Sequence, residues 1–327
     1  PEKWIDPELF AALARSRRIR ELRQKAEQVA PGDGPLLIAG EAGTGRGALA
    51  RFVHDAGPRR DAPFVKLSGA GLLAENAADL LLGTATPGGE EAGAIERAGG
   101  GTLFISNLEE ASPAAQAIIA SALETGSYTR LGRAAPVPVA ARVIASVGPG
   151  AVAAPAGSGL RADLSARLGM LRIDVPSLRD YSEDISELLR YTVEDLADRE
   201  RLPFRRFSFA AQNRLRNYPW PGNLRELTGL VQRILAAGGP EEVSLGEVEQ
   251  ELAPAPGAQE PLVKQDLLAL PLREAREQFE RAYLTEQLAL CGGKVGALAK
   301  RVGMERTHLY RKLRSLGVEF RGTLSEE

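Results

Sequence analysis

Hydrophobic positions along the chain follow two periods. Ile19, Leu22, Ala26 and Val29 recur at helical spacing, with Arg and Lys filling the other faces, so residues 1–30 are expected to form an N-terminal linker helix. Pro31-Gly32-Asp33-Gly34 breaks it, and Pro35-Leu36-Leu37-Ile38-Ala39 follows as a short apolar strand. Two further apolar runs, Gly101-Thr102-Leu103-Phe104-Ile105 and Val139 to Ala145, read as strands separated by helical stretches. Wholly apolar strands alternating with helices predict an α/β domain over 31–172, a parallel sheet with helices on both faces. After Leu171 the pattern is mostly helical to Leu252, a helical subdomain over 173–252. Ala253-Pro254-Ala255-Pro256-Gly257-Ala258 opens a linker over 253–269.

The last segment, 270–327, reads as all helical. Leu272, Ala275, Phe279, Ala282 and Tyr283 keep the helical period to about Leu290, and Cys291-Gly292-Gly293 ends that helix. Lys294 to Arg301 reads as a short helix, Val302-Gly303-Met304 as a turn and Glu305 to Leu316 as a second helix, the pattern of a helix-turn-helix. Leu309, Leu313 and Leu316 fall on one face as its core.

Charge sharpens this picture. Net charge is −2, with 44% hydrophobic and 26% charged residues, so the chain is no polycation and any nucleic-acid affinity is local. Between Lys294 and Arg321 the bases far outnumber the acids, which are Glu305 and Glu319. Double-stranded DNA is therefore the expected partner, a solvated basic surface being the alternative. N-terminal residues of a recognition helix reach base edges, which assigns Arg306, Thr307 and His308 to sequence readout. Lys300, Arg301, Arg311, Lys312 and Arg314 suit phosphates, and Tyr310 shares their outward faces. The single cysteine forms no intramolecular disulfide, and His54 and His308 belong to no metal-ligand cluster. No apolar run is long enough to span a membrane, so a cytoplasmic protein is expected. The chain opens on Pro1 rather than Met, and further sequence upstream is expected.

Gly40-Glu41-Ala42-Gly43-Thr44-Gly45-Arg46-Gly47 joins the first strand to a helix expected to start near Ala48. Backbone N–H groups in such a loop wrap phosphates. The working loop reads G-x-x-x-x-G-K-[S/T]; here Arg46 stands where Lys belongs and Gly47 where a hydroxyl often holds Mg²⁺. An ordinary glycine turn is the alternative. In phosphate-loop ATPases acids end the second apolar strand. Ser106 and Asn107 stand there instead, and Glu109 and Glu110, past the strand end, read as solvated helix residues.

Together with Gly100 to Ile105, Leu160 to Leu168, Val175 to Arg179 and Trp220-Pro221-Gly222-Asn223-Leu224-Arg225-Glu226-Leu227, this loop resembles the AAA+ domain of the NtrC-type enhancer-binding regulators that work with sigma-54 polymerase. The last unit resembles their Fis-like DNA-binding domain. The resemblance implies an AAA+ fold with a helical lid, a homodimer through the C-terminal domain or a higher oligomer, and RNA polymerase as partner. It implies an upstream receiver domain in many relatives, as in response regulators. It marks Arg161 and Arg167 as an inter-subunit arginine pair and Arg225 as a lid sensor arginine. The departures carry the functional expectation. The region Leu82 to Ala94 lacks the sigma-54-gripping GAFTGA motif, as in the NtrX-like branch, and Val147-Gly148 replaces the sensor Thr-Asn. The expected protein is a DNA-binding regulator with a degenerate AAA+ domain. That domain would have no catalytic residues and would hold ATP or ADP, if any cofactor, without a well-bound Mg²⁺. It would act independently of sigma-54. The alternatives are a sigma-54-activating ATPase and a nucleotide sensor that does not hydrolyse.

Overall fold

The computed structural model describes residues 16–86, 89–151, 159–252, 271–291 and 295–318. The expected linker at 253–269, the first half of the expected N-terminal helix and the Gly292-Gly293 stop lie outside them. Contacts divide the chain into two compact units, 1–253 and 254–327.

In the first unit α1 (Arg17–Val29) leads into β1 (Leu36–Ala39), α2 (Arg46–Asp55) and β2 (Phe64–Ser68). Then come α3 (Ala77–Leu82), the hairpin β3 (Gly83–Thr86) and β4 (Gly89–Ala92), α4 (Ala94–Ala98) and β5 (Thr102–Ser106). Next are α5 (Pro113–Thr125), the hairpin β6 (Ser127–Thr129) and β7 (Pro136–Pro138), β8 (Arg142–Val147), α6 (Ala162–Leu168) and β9 (Arg172–Asp174). The main sheet runs β2-β5-β8-β1-β9, every pair parallel.

Both faces of the sheet are covered, and strand alternation shows why its centre is wholly apolar. Leu36, Ile38, Phe104 and Ile144 pack into one core with α1, α2 and the helical region that follows. Their neighbours Leu37, Leu103, Ile105, Val143 and Ala145 enter a second core with α3 to α6. The two edge strands escaped the sequence reading. The β2 strand alternates between half-buried and exposed positions, and β9 has three residues within the stretch expected to be helical. The third apolar strand begins at Arg142 rather than Val139, because Val139 N–H donates to Gly126 O and so belongs with the β6–β7 hairpin. The buried Arg142 guanidinium donates to the carbonyls of Val29, Ala30 and Gly34, capping the C-terminal end of α1 and fixing it to the sheet.

Beyond the sheet lie α7 (Ile185–Glu200), β10 (Arg206–Phe207), α8 (Phe209–Arg216), α9 (Asn223–Ala237), β11 (Glu242–Val243) and α10 (Leu245–Glu251). The buried Arg205 closes this lid from within, donating to Ile234, Gly238 and Pro240 carbonyls and pairing with Glu247 at 2.6 Å. The second unit holds α11 (Leu272–Leu290), α12 (Val295–Val302) and α13 (Arg306–Ser315) around Leu284, Leu298, Leu309 and Leu313. Among the described residues no helix is long and apolar enough to cross a membrane.

Candidate anion cavity and nucleic-acid interface

The glycine loop lies at the C-terminal ends of β1, β5 and β8, where parallel strands leave a crevice. Gly43 and Gly45 take positive φ, +79° and +93°. Gly45 in the left-handed region is the N-cap of α2, so the helix starts at Arg46, ahead of the position read from the sequence, and its first N–H groups face the loop. Gly43 is required for a second reason: a Cβ there would stand 2.1 Å from Gly222 O. The Trp220-Pro221-Gly222-Asn223 turn lies directly on the loop. Trp220 and Asn223 also take positive φ, strain held by a fully buried indole whose Nε1–H donates to Leu215 O at 2.9 Å.

Glu41 latches this lid. Its carboxylate accepts from Arg179 and from Asn223 Nδ2, and those two bonds, Arg179's first, hold it below the usual carboxylate range. Asn223 Nδ2 also donates to Ala42 O, while its Oδ1 accepts from Leu178 N–H. Thr44 is buried, its hydroxyl donating to Glu41 O at 2.8 Å. Gly40 is tight, a Cβ there meeting Thr44 Oγ1 and Val175 at 3.1 Å. Gly47 is not sterically required.

A cavity of about 370 Å³ opens between loop, sheet and lid. Arg46, Arg51, Lys66 and Arg225 line it with Ser106, Asn107 and Ser146, and no carboxylate is among its lining residues. Arg46 and Arg225 both line this cavity, as do Arg51 and Lys66, which the sequence pattern does not single out. The Lys66 side chain leaves an edge strand at a half-register that hydrophobic patterning does not single out. Arg46 Nη2 donates to Asn107 Oδ1 at 2.8 Å, and its buried Nη1 has no hydrogen-bond partner among the described residues. Burial pushes the Arg46 pKa down from its ordinary value, while Glu109 and Glu110 pull it back up. Burial, and then Arg225, lower that of Lys66.

The structure corrects the reading of Glu109 as solvated. Its Oε1 accepts from Gly148 N–H at 2.7 Å and its Oε2 is buried, because the short turn Leu108–Glu110 folds back beneath the end of β8. Glu110 is exposed and accepts from Asn107 Nδ2. Arg161 and Arg167 lie away from the cavity on the outer surface of α6, paired with Asp163 and Glu124 at 2.8 and 3.0 Å. The β3–β4 hairpin, where the sigma-gripping motif was sought, is strapped to the second hairpin. Ala85 N–H donates to Leu131 O, and Arg130 pairs with Glu90 and Glu96.

On the second unit Lys300, Arg301, Arg306, Thr307, His308, Arg311 and Arg314 are all exposed around α12 and α13. Gly303, at φ +67°, makes the turn between the helices. Arg306 lies across Gly296, where a Cβ would meet its guanidinium at 2.7 Å. Tyr310 is half-buried against the core. Lys312 pairs with Glu280 at 2.8 Å and Arg301 donates to Gln287 at 2.7 Å, so both are tied to α11. Leu272, Phe279 and Tyr283 leave an exposed apolar stripe on α11, the last two rings stacked at 6.0 Å.

Comparison with known proteins agrees with this architecture. Residues 12–174 match the sigma-54 interaction domain, 179–265 the AAA+ ATPase lid domain and 275–316 the Fis family of bacterial regulatory proteins. The nitrogen assimilation regulatory protein NtrX of Azorhizobium caulinodans is 35% identical over 315 residues, 94% of this chain and 69% of the relative. The HTH-type transcriptional regulatory protein TyrR of Salmonella typhimurium is 31% identical over 306 residues, 94% of this chain and 58% of the relative. The crystal structure of NtrX from Brucella abortus in complex with ADP, 33% identical, superposes with a TM-score of 0.68 over 93% of this chain and 68% of that one. The same protein in complex with ATP gives 0.67.

Proposed function

The chain belongs to the NtrX and NtrC type of bacterial transcription regulator, with a sigma-54 interaction domain of the AAA+ class, its lid and a Fis-family helix-turn-helix, and from that premise we propose a sequence-specific DNA-binding regulator whose AAA+ domain holds nucleotide without hydrolysing it. The observation that carries this reading is the lining of the cavity: among the described residues cations line it and no carboxylate does. Hydrolysis of a phosphoanhydride needs an acid to ready the attacking water and acids to hold Mg²⁺. Each such contact is worth about 10²–10⁵ in rate, so removing several leaves negligible turnover even with strong non-additivity. Arg46, Lys66 and Arg225, with Arg51 paired to Asp55 beside them, still suit a polyphosphate, and the NtrX crystals with ADP and with ATP support nucleotide in this cavity.

The strapped β3–β4 hairpin supports action without sigma-54, on ordinary RNA polymerase in the cytoplasm. Its Glu90, on β4, is committed to ion pairs with Arg130 and Arg133. The apolar stripe of α11 is assigned to a second copy of the chain, giving a homodimer. In a higher oligomer the outward Arg161 and Arg167 would meet a neighbouring subunit. Arg306, Thr307 and His308 take base readout, and Lys300, Arg301, Arg311, Lys312 and Arg314 take phosphates, with Tyr310 setting the helix against its core. Two experiments test the reading. Phosphate release at saturating ATP and Mg²⁺ should show no steady turnover, and a rate of about one per second would sink the non-hydrolysing half. A gel-shift titration with salt should weaken DNA binding steeply; flat, weak binding would sink the other half.

A further inference from the structure

Arg142 and Arg205 are buried and Arg46 is half-buried with a buried Nη1, and the three differ in how their guanidinium groups are engaged. Arg142 donates to three backbone carbonyls. Arg205 donates to three carbonyls and one carboxylate. In both, every guanidinium nitrogen is engaged with the protein, and these two hold the fold together. Arg46 has a single neutral partner, Asn107 Oδ1, and its Nη1 is buried without one, on the wall of the cavity. A buried cationic donor left so is costly unless something anionic completes it.

Its position is as telling as its bonding. The Arg46 guanidinium bridges the start of α2 to the end of β5, from loop to Asn107. In phosphate loops that retain their acids, this gap between the loop and the second strand is where the divalent cation bridges protein and phosphate. The residues present do not fit Mg²⁺. The oxygens facing the gap belong to Ser106, Asn107 and Ser146, all neutral, and a hard divalent cation seeks carboxylate oxygen. Among the described residues no group of three His, Cys, Asp and Glu side chains converges on a metal. A fixed guanidinium charge in the same gap repels a second cation.

We propose that Arg46 is a built-in replacement for the metal, so that the cavity takes nucleoside di- or triphosphate in its metal-free form and Mg²⁺ weakens binding. This rests on the nucleotide reading of the cavity and adds a sign to it. Free ATP presents its full negative charge to Arg46, Lys66 and Arg225. Magnesium-bound ATP presents less, and brings a hydrated cation towards Arg46. The planar guanidinium can present two parallel N–H bonds to one phosphate group, a fork that a lysine ammonium lacks.

The test is calorimetric titration of the full chain with ATP, and separately ADP, at matched ionic strength in EDTA and in excess Mg²⁺. The expected result is binding about tenfold tighter in EDTA, the worth of one charge-assisted contact kept or lost. Tighter binding in Mg²⁺ overturns the proposal and leaves the nucleotide reading standing. No binding in either condition overturns both. The double variant Arg46→Lys with Ser106→Asp, its folding checked by thermal melt, restores the ammonium and a carboxylate and should reverse the preference, Mg²⁺ now strengthening binding. An EDTA preference unchanged in that variant would mean that Arg46 is not the group responsible, and would overturn the assignment. The wild-type comparison stands whether or not the variant folds.

Discussion

The cavity and the α12–α13 surface are both built from cations, and they use charge in opposite ways. In the cavity Arg46 and Lys66 are partly desolvated, their pKa values lowered first by burial, and they converge on a volume of about 370 Å³. On α12 and α13 the basic residues stand in solvent along two helices. A concave cluster selects a compact polyanion by fit. A convex, solvated one selects a long polyanion by counterion release. In a protein of net charge −2, each function therefore rests on local placement rather than overall charge.

Salt separates the two most strongly. The five residues proposed to contact phosphate, doubled in the proposed dimer and reduced by those tied to α11, would leave about 6–10 contacts, so DNA affinity should fall about 10³-fold or more between 50 and 200 mM salt. Nucleotide affinity over the same range should change less, because a single compact ligand makes fewer phosphate contacts than a duplex and releases fewer counterions. Fluorescence anisotropy with labelled duplex and labelled ATP checks both, and equal slopes would erase the distinction. Next in size is Arg225→Ala, which should reduce nucleotide affinity by about 1.5–3 kcal/mol, one charge-assisted contact, while DNA affinity without nucleotide stays at the wild-type value. A DNA defect of similar size in that variant would mean that the two regions are not energetically separate.

That independence was partly legible in advance. The apolar alternation of β1, β5 and β8 and the turn-and-core pattern of α12 and α13 locate the sheet and the second unit without any long-range information. The contents of the cavity were legible only in part, because they come from parallel strands that meet in space but not in sequence. Arg46 and Asn107 are 61 residues apart, and their bond depends on both following the C-terminal ends of strands, β1 and β5, that β8 alone separates. Lys66 leaves an edge strand whose mixed burial hides its period. Glu109 follows its strand by only three residues, yet the left-handed Asn107, φ +50°, turns it inward to Gly148. Local pattern carries the elements, whereas the identity of the groups that face one another depends on strand order.

Protonation offers a smaller contrast. Lys66 has its pKa lowered, by burial first and then by Arg225, so its charge is lost at a lower pH than that of an exposed lysine. A phosphate ligand prefers the charged form. Nucleotide affinity is therefore full below the lowered value and declines as pH rises through it, in a window starting below 10.5. Titrating ATP affinity between about pH 7 and 10 should show a severalfold decline that Lys66→Met removes. A decline that persists in Lys66→Met would place the titrating group elsewhere.

The smallest effect concerns a place where the convex surface carries an acid against its cations. Glu280 on α11 pairs with Lys312 on α13 and with Arg276 on its own helix. The hydrogen bond from Lys312, above all, holds its carboxyl below the ordinary range. The pair's contribution to stability is thus present above the ordinary carboxylate value and is lost as pH falls through the lowered one, so it persists throughout the range used for DNA binding. Glu280→Gln should cost up to about 1 kcal/mol of stability, as for a half-exposed ion pair, read as a slightly lower melting midpoint of the second unit. It should also release Lys312 to phosphate, tightening DNA binding a few-fold at low salt and steepening the salt slope by about one per subunit. The two changes have opposite signs, which separates them from a general loss of folding. A variant that melts lower and binds DNA with an unchanged slope would make Lys312 a strut between α11 and α13, and would leave the phosphate contacts to Lys300, Arg311 and Arg314.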